Sequence, residues 1–469
     1  MYEFIEYVLS ELRNSFVLVI LAGVVALAVL AAAYFIHKRK YGGGQKFPWG
    51  RALLYLMLVG YLAVVFYATI PRGSGGFRQV NLHLFRAWRE AWNNFSAKNW
   101  ANVLLNVAMF VPLGFLLPIL WKIFRKWYVM APAGFAVSLG IELFQLATGR
   151  GICDVDDLLA NTLGALIGYF LIMTVLSVPG EKGKRIKPSS VYCGLLLASV
   201  MAISSIFVVY DAREYGNLPN AAAYTVQTGG VTWSLDCELP TLDANQAVYQ
   251  TQIRSIEDCD AFAAEFAETA GTTFEDISYY QEAAYYMNHG SENGYHFLFV
   301  HYLDTGYEYT WGNYKDPVWV DADRETVEAA LERYPLLIPD YADFAVEGDG
   351  WHSFTVNKYV DGGVMVDGSL RCRYAQDGTV QEIHNHLLSY TYYDDAEVIS
   401  PEEAYNRLCA GKFYDGGYFE HSAPETVSVT SCALEYEIDT KGFYQPVYYF
   451  EVASGDGTYQ EQIMIPAMK

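Results

Sequence analysis

The first 210 residues contain six apolar runs, each close to the 20 or so residues that a helix needs to cross a bilayer. The runs are Ser15–Ile36, Ala52–Ile70, Asn102–Leu120, Tyr128–Ala147, Leu158–Val178 and Tyr192–Val209. One such run is compatible with a buried helix of a soluble protein, but six in succession with short connections are typical of a polytopic membrane bundle. The first run also lacks the basic leader and small-residue cleavage site of a signal peptide. We therefore predict six transmembrane helices.

After residue 210 the pattern changes to short helical patches and alternating runs rich in aromatic and β-branched residues. Alternation within 295–311, 370–393 and 444–465, interrupted by turn sequences such as DTG and QDG, predicts antiparallel strands. A helix followed by three or four strands recurs three times, which predicts an α+β domain of repeated helix-plus-antiparallel-sheet modules. The predicted helices are Asp258–Ala270, Arg324–Tyr334 and Pro401–Ala410.

Charge divides the chain at the same place. The net charge is −22, but residues 1–210 carry 19 Lys+Arg and 9 Asp+Glu, whereas residues 211–469 carry 12 and 44. This asymmetry argues against a single soluble enzyme, and so acidic a domain is not expected to bind nucleic acid. Four segments follow: a first transmembrane helix with a basic loop, a membrane domain, a basic loop with a sixth helix, and an acidic extracytoplasmic α+β domain. Their bounds are 1–51, 52–178, 179–210 and 211–469.

The orientation follows from the distribution of Lys and Arg. With the N-terminus outside, the inner loops 37–51, 121–127 and 179–191 carry 12 basic residues, and the outer segments carry 7. Six spans place the C-terminal domain on the side of the N-terminus. A domain with five cysteines also suits an exterior where disulfides persist. We expect a multi-pass protein of the cell membrane with both termini extracytoplasmic.

The connection at 81–101 has an amphipathic pattern. Apolar residues recur there at spacings of three and four, and polar residues fill the other face; the apolar set is Leu84, Phe85, Trp88, Trp92 and Phe95. The pattern indicates a helix lying in the outer headgroup zone, with Trp at the interface. A structured loop packed over the bundle fits the pattern equally well.

Polar residues inside three of the spans point to a functional site, because polar groups in a bilayer are costly. They are Asn102 and Asn106 in the third span, Glu142 and Gln145 with Arg150 in and after the fourth, and Asp154, Asp157 and Asn161 at the start of the fifth. All fall within roughly 10 Å of the predicted outer boundary, at 1.5 Å per residue. We therefore predict one polar pocket near the outer leaflet. Any one of these residues alone is compatible with a purely structural role.

Two further expectations concern this region. Because glycine readily adopts the conformation of a tight turn, a bend at Gly149 would let Arg150 fold back and pair with Asp154 or Asp157. Glu142 would then be hydrogen-bonded to a carboxamide such as that of Asn106 or Asn161. Helix packing is assigned to residues that permit close approach, including the small-xxx-small pattern GALIG. These are Pro112, Gly114, Gly164 and Gly168.

The order of these residues resembles the VanZ-like family over roughly residues 52–178. The three blocks are N-x3-N-x3-F-x-P-x-G from Asn102, E-x2-Q-x4-R from Glu142, and D-x2-D-x3-N-x2-G-x3-G from Asp154. The resemblance implies an integral membrane protein. Its name-giving member is associated with low-level resistance to the lipoglycopeptide antibiotic teicoplanin. It implies a site at these positions but no reaction.

Three functions are compatible with this sequence. The first is a factor of a Gram-positive-type cell envelope that binds a lipid-linked or amphiphilic molecule and modulates sensitivity to glycopeptide antibiotics, with binding assigned to Asn102, Asn106, Gln145, Asp154 and Asn161. The second is an enzyme acting on a lipid headgroup, with Glu142 or Asp157 as acid–base group and Arg150 holding phosphate. The third is an envelope sensor acting through the outer domain.

The acidic domain carries no recognisable nucleophile motif. His384 and His386 alternate along one strand; they could bind a metal, but an exposed strand is favoured, so we expect neither metal nor cofactor. Disulfides Cys237–Cys259 and Cys409–Cys432 and free buried thiols are equally compatible with the sequence. The last module is distantly similar to PepSY-type or YycI-type extracytoplasmic modules, which implies binding or regulation.

Overall fold

The structure is a computed structural model that describes most of the chain. The described residues are 29, 31–32, 34–40, 47–69, 77–180, 187–280, 283–291, 294–313, 317–416, 419, 423–455, 457 and 459–469. The chain divides into two compact units, Met1–Glu214 and Tyr215–Lys469. Most of the predicted first span, Ser15–Ile36, lies outside the described residues.

Within the described residues of the first unit, five helices are long and apolar enough to cross a membrane. Together with one short helix and two short strands, the elements in chain order are α1 Trp49–Thr69, β1 Phe77–Asn81, α2 Arg86–Asn94, α3 Ala97–Leu120, α4 Trp127–Thr148, β2 Arg150–Asp154, α5 Val155–Leu176 and α6 Pro188–Ala212. Each of the five apolar helices coincides with a predicted span. Helix α3 begins five residues early because the Ser96 side chain caps it by accepting a hydrogen bond from the Asn99 N–H.

Helices α3 and α5 pack with their backbones in close contact. A methyl group on Gly164 would lie 1.9 Å from the Val107 carbonyl oxygen, and one on Gly114 would lie 1.8 Å from the Ala165 carbonyl oxygen. Gly168 meets α3 in the same way, 2.0 Å from the Val111 oxygen. Only glycine fits at such contacts, which is the geometry of small-xxx-small packing. The α3–α5 pair therefore forms the rigid centre of this unit.

The amphipathic segment 81–101 divides between two helices. Residues 86–94 form α2, and the last five residues of the segment belong to the start of α3. The apolar face of α2 buries Ala91 and packs, with Trp88 and Trp92, against Trp100 of α3 and Phe207 of α6. The segment thus forms a helix, as its periodicity predicted, and this helix packs on the ends of two apolar helices.

The second unit is built on one large β-sheet. Its elements are β3 Thr232–Leu235, β4 Asn245–Gln250, α7 Ile256–Ala270, β5 Asp276–Tyr279, β6 Ala283–Ser291, β7 Gly294–His301, β8 Tyr307–Asn313, α8 Arg324–Leu331, β9 Asp343–Gly348, β10 Trp351–Asp361, β11 Val364–Tyr374, β12 Val380–Asn385, β13 Leu388–Glu397, α9 Pro401–Cys409, β14 Thr426–Ile438, β15 Phe443–Ser454 and β16 Gln460–Pro466. The main path runs β3-β14-β15-β4-β13-β11-β12-β8-β7-β6-β5. The three predicted helices are present, and antiparallel strands follow each of them. The modular repeat itself stays a prediction.

The two largest hydrophobic clusters of this unit each pack against helices. Helices α7 and α8 cover the first through Phe266 and Leu331, and helix α9 covers the second through Leu408. All seven cysteines are free thiols. The Cys237–Cys259 disulfide alternative is wrong because Cys259 is buried in the first cluster whereas Cys237 packs against the second.

Candidate functional site

The candidate site is built where the chain reverses after α4. Gly149 ends α4 in the left-handed conformation, with φ of 63°. Strand β2 then runs back beside the last turns of α4 and pairs with β1 in parallel, with Asn81 opposite Asp154. The expected bend at Gly149 is therefore present. It returns the residues just before α5 to the level of Glu142.

Glu142 and Asp154 form the centre of the site. Glu142 is only 2% exposed, and its Oε2 accepts a hydrogen bond of 3.0 Å from the Asp154 N–H. The Asp154 carboxylate caps α5 by accepting from the Asp156 N–H at 2.8 Å. Its second oxygen accepts from the Asn81 side-chain amide at 2.9 Å. This geometry ties α4, β1 and α5 together through two carboxylates.

Asp156 joins the short helix α2 to the same place. Its two oxygens accept from the N–H groups of Phe85 at 2.6 Å and Ala87 at 2.7 Å, and the residue is 1% exposed. Phe85 provides no side-chain cap for α2, so Asp156 supplies from α5 the acceptor that a polar N-cap would normally provide. The start of α2 is therefore held by α5.

A fourth carboxylate, that of Asp157, faces α3. Its Oδ1 accepts from the Asn106 side-chain amide at 2.5 Å. Asp154 and Asp157 both lie within electrostatic range of Glu142. The Cys153 thiol lies on β2, outside the spans. Burial raises its pKa, and the negative charges of Glu142, Asp154 and Asp157 raise it further.

Two more predicted residues make polar contacts around this cluster. The Asn161 amide donates to the fully buried Ser138 hydroxyl at 2.9 Å, between α5 and α4. The Gln145 amide donates to the Thr69 carbonyl oxygen at 2.5 Å, at the end of α1. These bonds fix the helices that surround the carboxylates. Asn161 Oδ1 is buried without a hydrogen-bond partner in the described part of the chain.

One known protein family matches this part of the chain. A family model described as VanZ/LLP1 covers residues 52–176, which include every residue of the cluster. Residues 52–176 resemble this family and are called the VanZ-like domain below.

The remaining comparisons add no functional assignment. No curated protein matched the sequence. Among solved structures, the C-terminal domain of YpeB from Bacillus megaterium is similar at 14% identity, over 46% of this chain and 99% of that chain, with a TM-score of 0.15. A likeness at this TM-score supports no conclusion about the function of the C-terminal unit.

Three expectations about the VanZ-like domain differ from the geometry. Asn102 is exposed and takes no part in the hydrogen-bonded network that the described residues form, because it lies one helical turn before Asn106. Pro112 lies inside α3 but is exposed, away from the α3–α5 contact. The expected carboxamide partner of Glu142 is wrong: Asn106 donates to Asp157, and a backbone N–H takes its place.

The backbone places Arg150 at the first position of β2, and the structure does not describe its side chain. Four residues of strand, about 13 Å of rise, separate it from Asp154. Its pairing with Asp154 or Asp157 stays a prediction.

Sequence reasoning missed three residues of the VanZ-like domain that hold the cluster. They are Asn81, Ser138 and Asp156. Asp156 lies beside Asp157 in the sequence but off the face shared by Asp154, Asp157 and Asn161, and its partners lie about 70 residues earlier in the chain. Such a contact leaves no signal in a local pattern. Asp156 was recognisable only as one more acidic residue in the first turn of a helix.

Chemically, the cluster offers carboxylate oxygens beside apolar helix surfaces. Carboxylates accept hydrogen bonds and attract positive charge. The site therefore suits the polar or cationic part of a molecule whose remainder is apolar.

Proposed function

We propose that the VanZ-like domain binds the polar part of a lipid-linked or amphiphilic envelope molecule at the cluster of Glu142, Asp154 and Asp157. Through this binding the protein modulates sensitivity to teicoplanin-type glycopeptide antibiotics. The chain lies in the cell membrane with both termini extracytoplasmic, so the cluster faces the outer leaflet.

The observation that carries this proposal is the buried carboxylate of Glu142. It lies near the end of an apolar helix of membrane-spanning length, held by one backbone N–H and close to two further carboxylates. Ionisable groups at such positions are costly to maintain and usually serve binding or transport. A purely structural contact between α4 and β2 needs only one polar acceptor, whereas this cluster gathers several.

The proposed orientation rests on the Lys and Arg count of the loops, 12 inside against 7 outside. A cysteine-accessibility scan tests it with a membrane-impermeant thiol reagent on intact cells. We expect labelling at introduced cysteines in 220–469 and none in 38–50. The reverse pattern would place the cluster at the inner leaflet and overturn the outer-leaflet site.

The binding proposal is tested in a deletion strain complemented with matched variants. Glu142→Gln removes the central charge and keeps the side-chain size. Glu90→Gln makes the same change on α2, where Glu90 forms a surface pair with Arg86 at 2.8 Å. At equal expression, we expect Glu142→Gln to resemble the deletion in teicoplanin sensitivity and extracted lipid profile, and Glu90→Gln to resemble the wild type. A fully functional Glu142→Gln protein would contradict the proposal.

One observation favours an enzyme as the alternative. Glu142 and Asp157 lie within electrostatic range of each other, and two neighbouring carboxylates can share proton transfer to a lipid headgroup. In this alternative, Arg150 holds a phosphate. A lipid species that accumulates in the deletion strain while a modified form disappears would favour the enzyme over a binding protein.

A further inference from the structure

A second site lies in the C-terminal unit, where three neighbouring strands end. Strand β8 lies between β7 and β12. His301 is the last residue of β7, Glu308 is the second residue of β8, and His386 follows the last residue of β12. The topology therefore brings two imidazoles and a carboxylate to one end of three adjacent strands.

The strand register places the three side chains on one face of the sheet. Glu308 is opposite Phe299 on one side and opposite His384 on the other. His301 and His386 each lie two residues further along, so alternation puts them on the face of Glu308 as diagonal neighbours. The opposite face is buried, since the residues between them belong to the first hydrophobic cluster: Val300, Tyr307 and Ile383.

The distances suit a tetrahedral metal ion. One ligand atom from each of His301, Glu308 and His386 lies within 4.8 Å of the others. The His386 Nε2 and Glu308 Oε1 atoms are 3.3 Å apart. Zinc bonds of about 2.0–2.2 Å in tetrahedral geometry separate two ligand atoms by roughly 3.3–3.6 Å. These two atoms are thus already separated by the distance expected of two zinc ligands, and the His301 ligand atom lies within 4.8 Å of both.

His301 has the environment of a metal-ligating histidine. Its Nε2 is buried and has no hydrogen-bond partner among the described residues, which is costly for a polar atom. Its other nitrogen, Nδ1, lies 3.7 Å from the Asp304 Oδ2. The Asp304 carboxylate is itself fixed, because its Oδ1 accepts from the Gly306 N–H at 2.6 Å. When a carboxylate interacts with one nitrogen of an imidazole ring, the other ring nitrogen is available to bind a metal.

We infer that His301, Glu308 and His386 bind a zinc ion, with Asp304 positioning His301. Two imidazoles and one carboxylate suit zinc, whereas calcium and magnesium prefer sites made of oxygen atoms. Three protein ligands leave the fourth position open to solvent, since Glu308 and His386 are about 40% exposed. This inference revises the sequence-based expectation of no metal, which treated His386 as a residue of an exposed strand.

The test uses the full-length protein in detergent, stripped with a chelator and dialysed against zinc. We expect about one retained zinc ion per chain by elemental analysis, and intense visible bands of tetrahedral cobalt after cobalt replacement. Glu308→Gln and His386→Gln should abolish retention. Asp304→Asn should weaken zinc affinity about 10- to 100-fold, as loss of a residue that orients a ligand does.

His289→Gln is the matched control, because His289 is an exposed histidine of β6 that pairs with Asp276. We expect it to retain zinc like the wild type. Thermal unfolding without zinc should be the same for all variants, which separates lost ligands from lost folding. Wild-type protein that retains no zinc, or Glu308→Gln and His386→Gln proteins that retain as much as wild type, would overturn the inference and leave a plain histidine–glutamate ion pair.

Discussion

The backbone N–H of Asp154 donates to the buried carboxylate of Glu142 at 3.0 Å. The two residues are twelve positions apart, and the left-handed turn at Gly149 brings them together. The contact places a carboxylate near the end of one apolar helix beside the residue that caps the next. The charge of the cluster and the packing of the helices are therefore coupled.

The reactivity of Cys153 should report the charge of Glu142. Burial raises the pKa of this thiol, and the carboxylates of Glu142, Asp154 and Asp157 raise it further. Replacing Glu142 by Gln removes one negative charge, lowers the pKa of the thiol and increases the thiolate fraction. In a variant that keeps Cys153 as its only cysteine, we expect faster alkylation and a rate–pH curve shifted to lower pH.

Glu90→Gln serves as the control for that measurement, because it removes the same charge from α2, where Glu90 pairs with Arg86. We expect its rate–pH curve to coincide with that of the parent. An unchanged curve for Glu142→Gln would show that the two groups do not interact.

Asn106 and Asn102 offer a comparison within one helix. Asn106 donates to the Asp157 carboxylate, whereas Asn102 is exposed. Losing a hydrogen bond to a charged group costs about 1.5–3 kcal/mol, and a surface change usually costs less than about 0.5 kcal/mol. We expect Asn106→Ala to lower the thermal unfolding temperature in detergent and Asn102→Ala to leave it unchanged. Equal effects of the two changes would argue against the Asn106–Asp157 contact.

Gly164 should tolerate no side chain. The methyl group of Gly164→Ala would lie 1.9 Å from the Val107 carbonyl oxygen, a backbone atom that can move only with α3 itself. We expect a loss of stability of at least the 1–3 kcal/mol or so typical of overpacking, measured by thermal unfolding. Gly140→Ala is the control: no atom lies within 4 Å of its added methyl group, so it should gain up to about 1 kcal/mol from helix propensity. If Gly164→Ala were as stable as Gly140→Ala, helices α3 and α5 would have to be further apart.

Asp156 should hold the start of α2. Asp156→Ala leaves the N–H groups of Phe85 and Ala87 without their acceptor, at a cost of about 1–3 kcal/mol for each buried group. We expect faster hydrogen exchange in the peptide 82–94, with little change in α3. Asp156→Asn retains one oxygen acceptor and should give an intermediate rate. Exchange as slow in Asp156→Ala as in the wild type would show that another group caps α2.

The helices of the first unit could be predicted because their apolar runs match the thickness of a bilayer. The ends of these helices were predicted less accurately, since the start of α3 depends on the capping side chain of Ser96 and the start of α5 on that of Asp154. In the second unit, local periodicity indicated helices and strands. The neighbours of each strand in the sheet could not be predicted, because β4 pairs with β13 and β15 from distant parts of the chain.

For the candidate site, helical spacing in the sequence is enough to predict that Glu142, Asp154 and Asp157 lie at one level. Their partners were not predictable, because a pattern gives the face of a residue but not the atom that reaches it. The sequence therefore predicts a carboxamide partner for Glu142, whereas the partner is a backbone N–H. Of the proposed zinc ligands, the sequence offered only His386 as a possible ligand, because the register of three strands, and not the spacing within one, joins it to His301 and Glu308.

In the proposed function, the cluster of Glu142, Asp154 and Asp157 binds an amphiphilic envelope molecule. Native mass spectrometry of protein extracted from its own membrane tests it most directly, by comparing wild type, Glu142→Gln and Glu90→Gln. We predict a mass adduct, identified as a lipid-linked or amphiphilic compound after extraction, on the wild type and Glu90→Gln but not on Glu142→Gln. An identical adduct on all three proteins, or no adduct on any, would show that the cluster does not bind such a molecule.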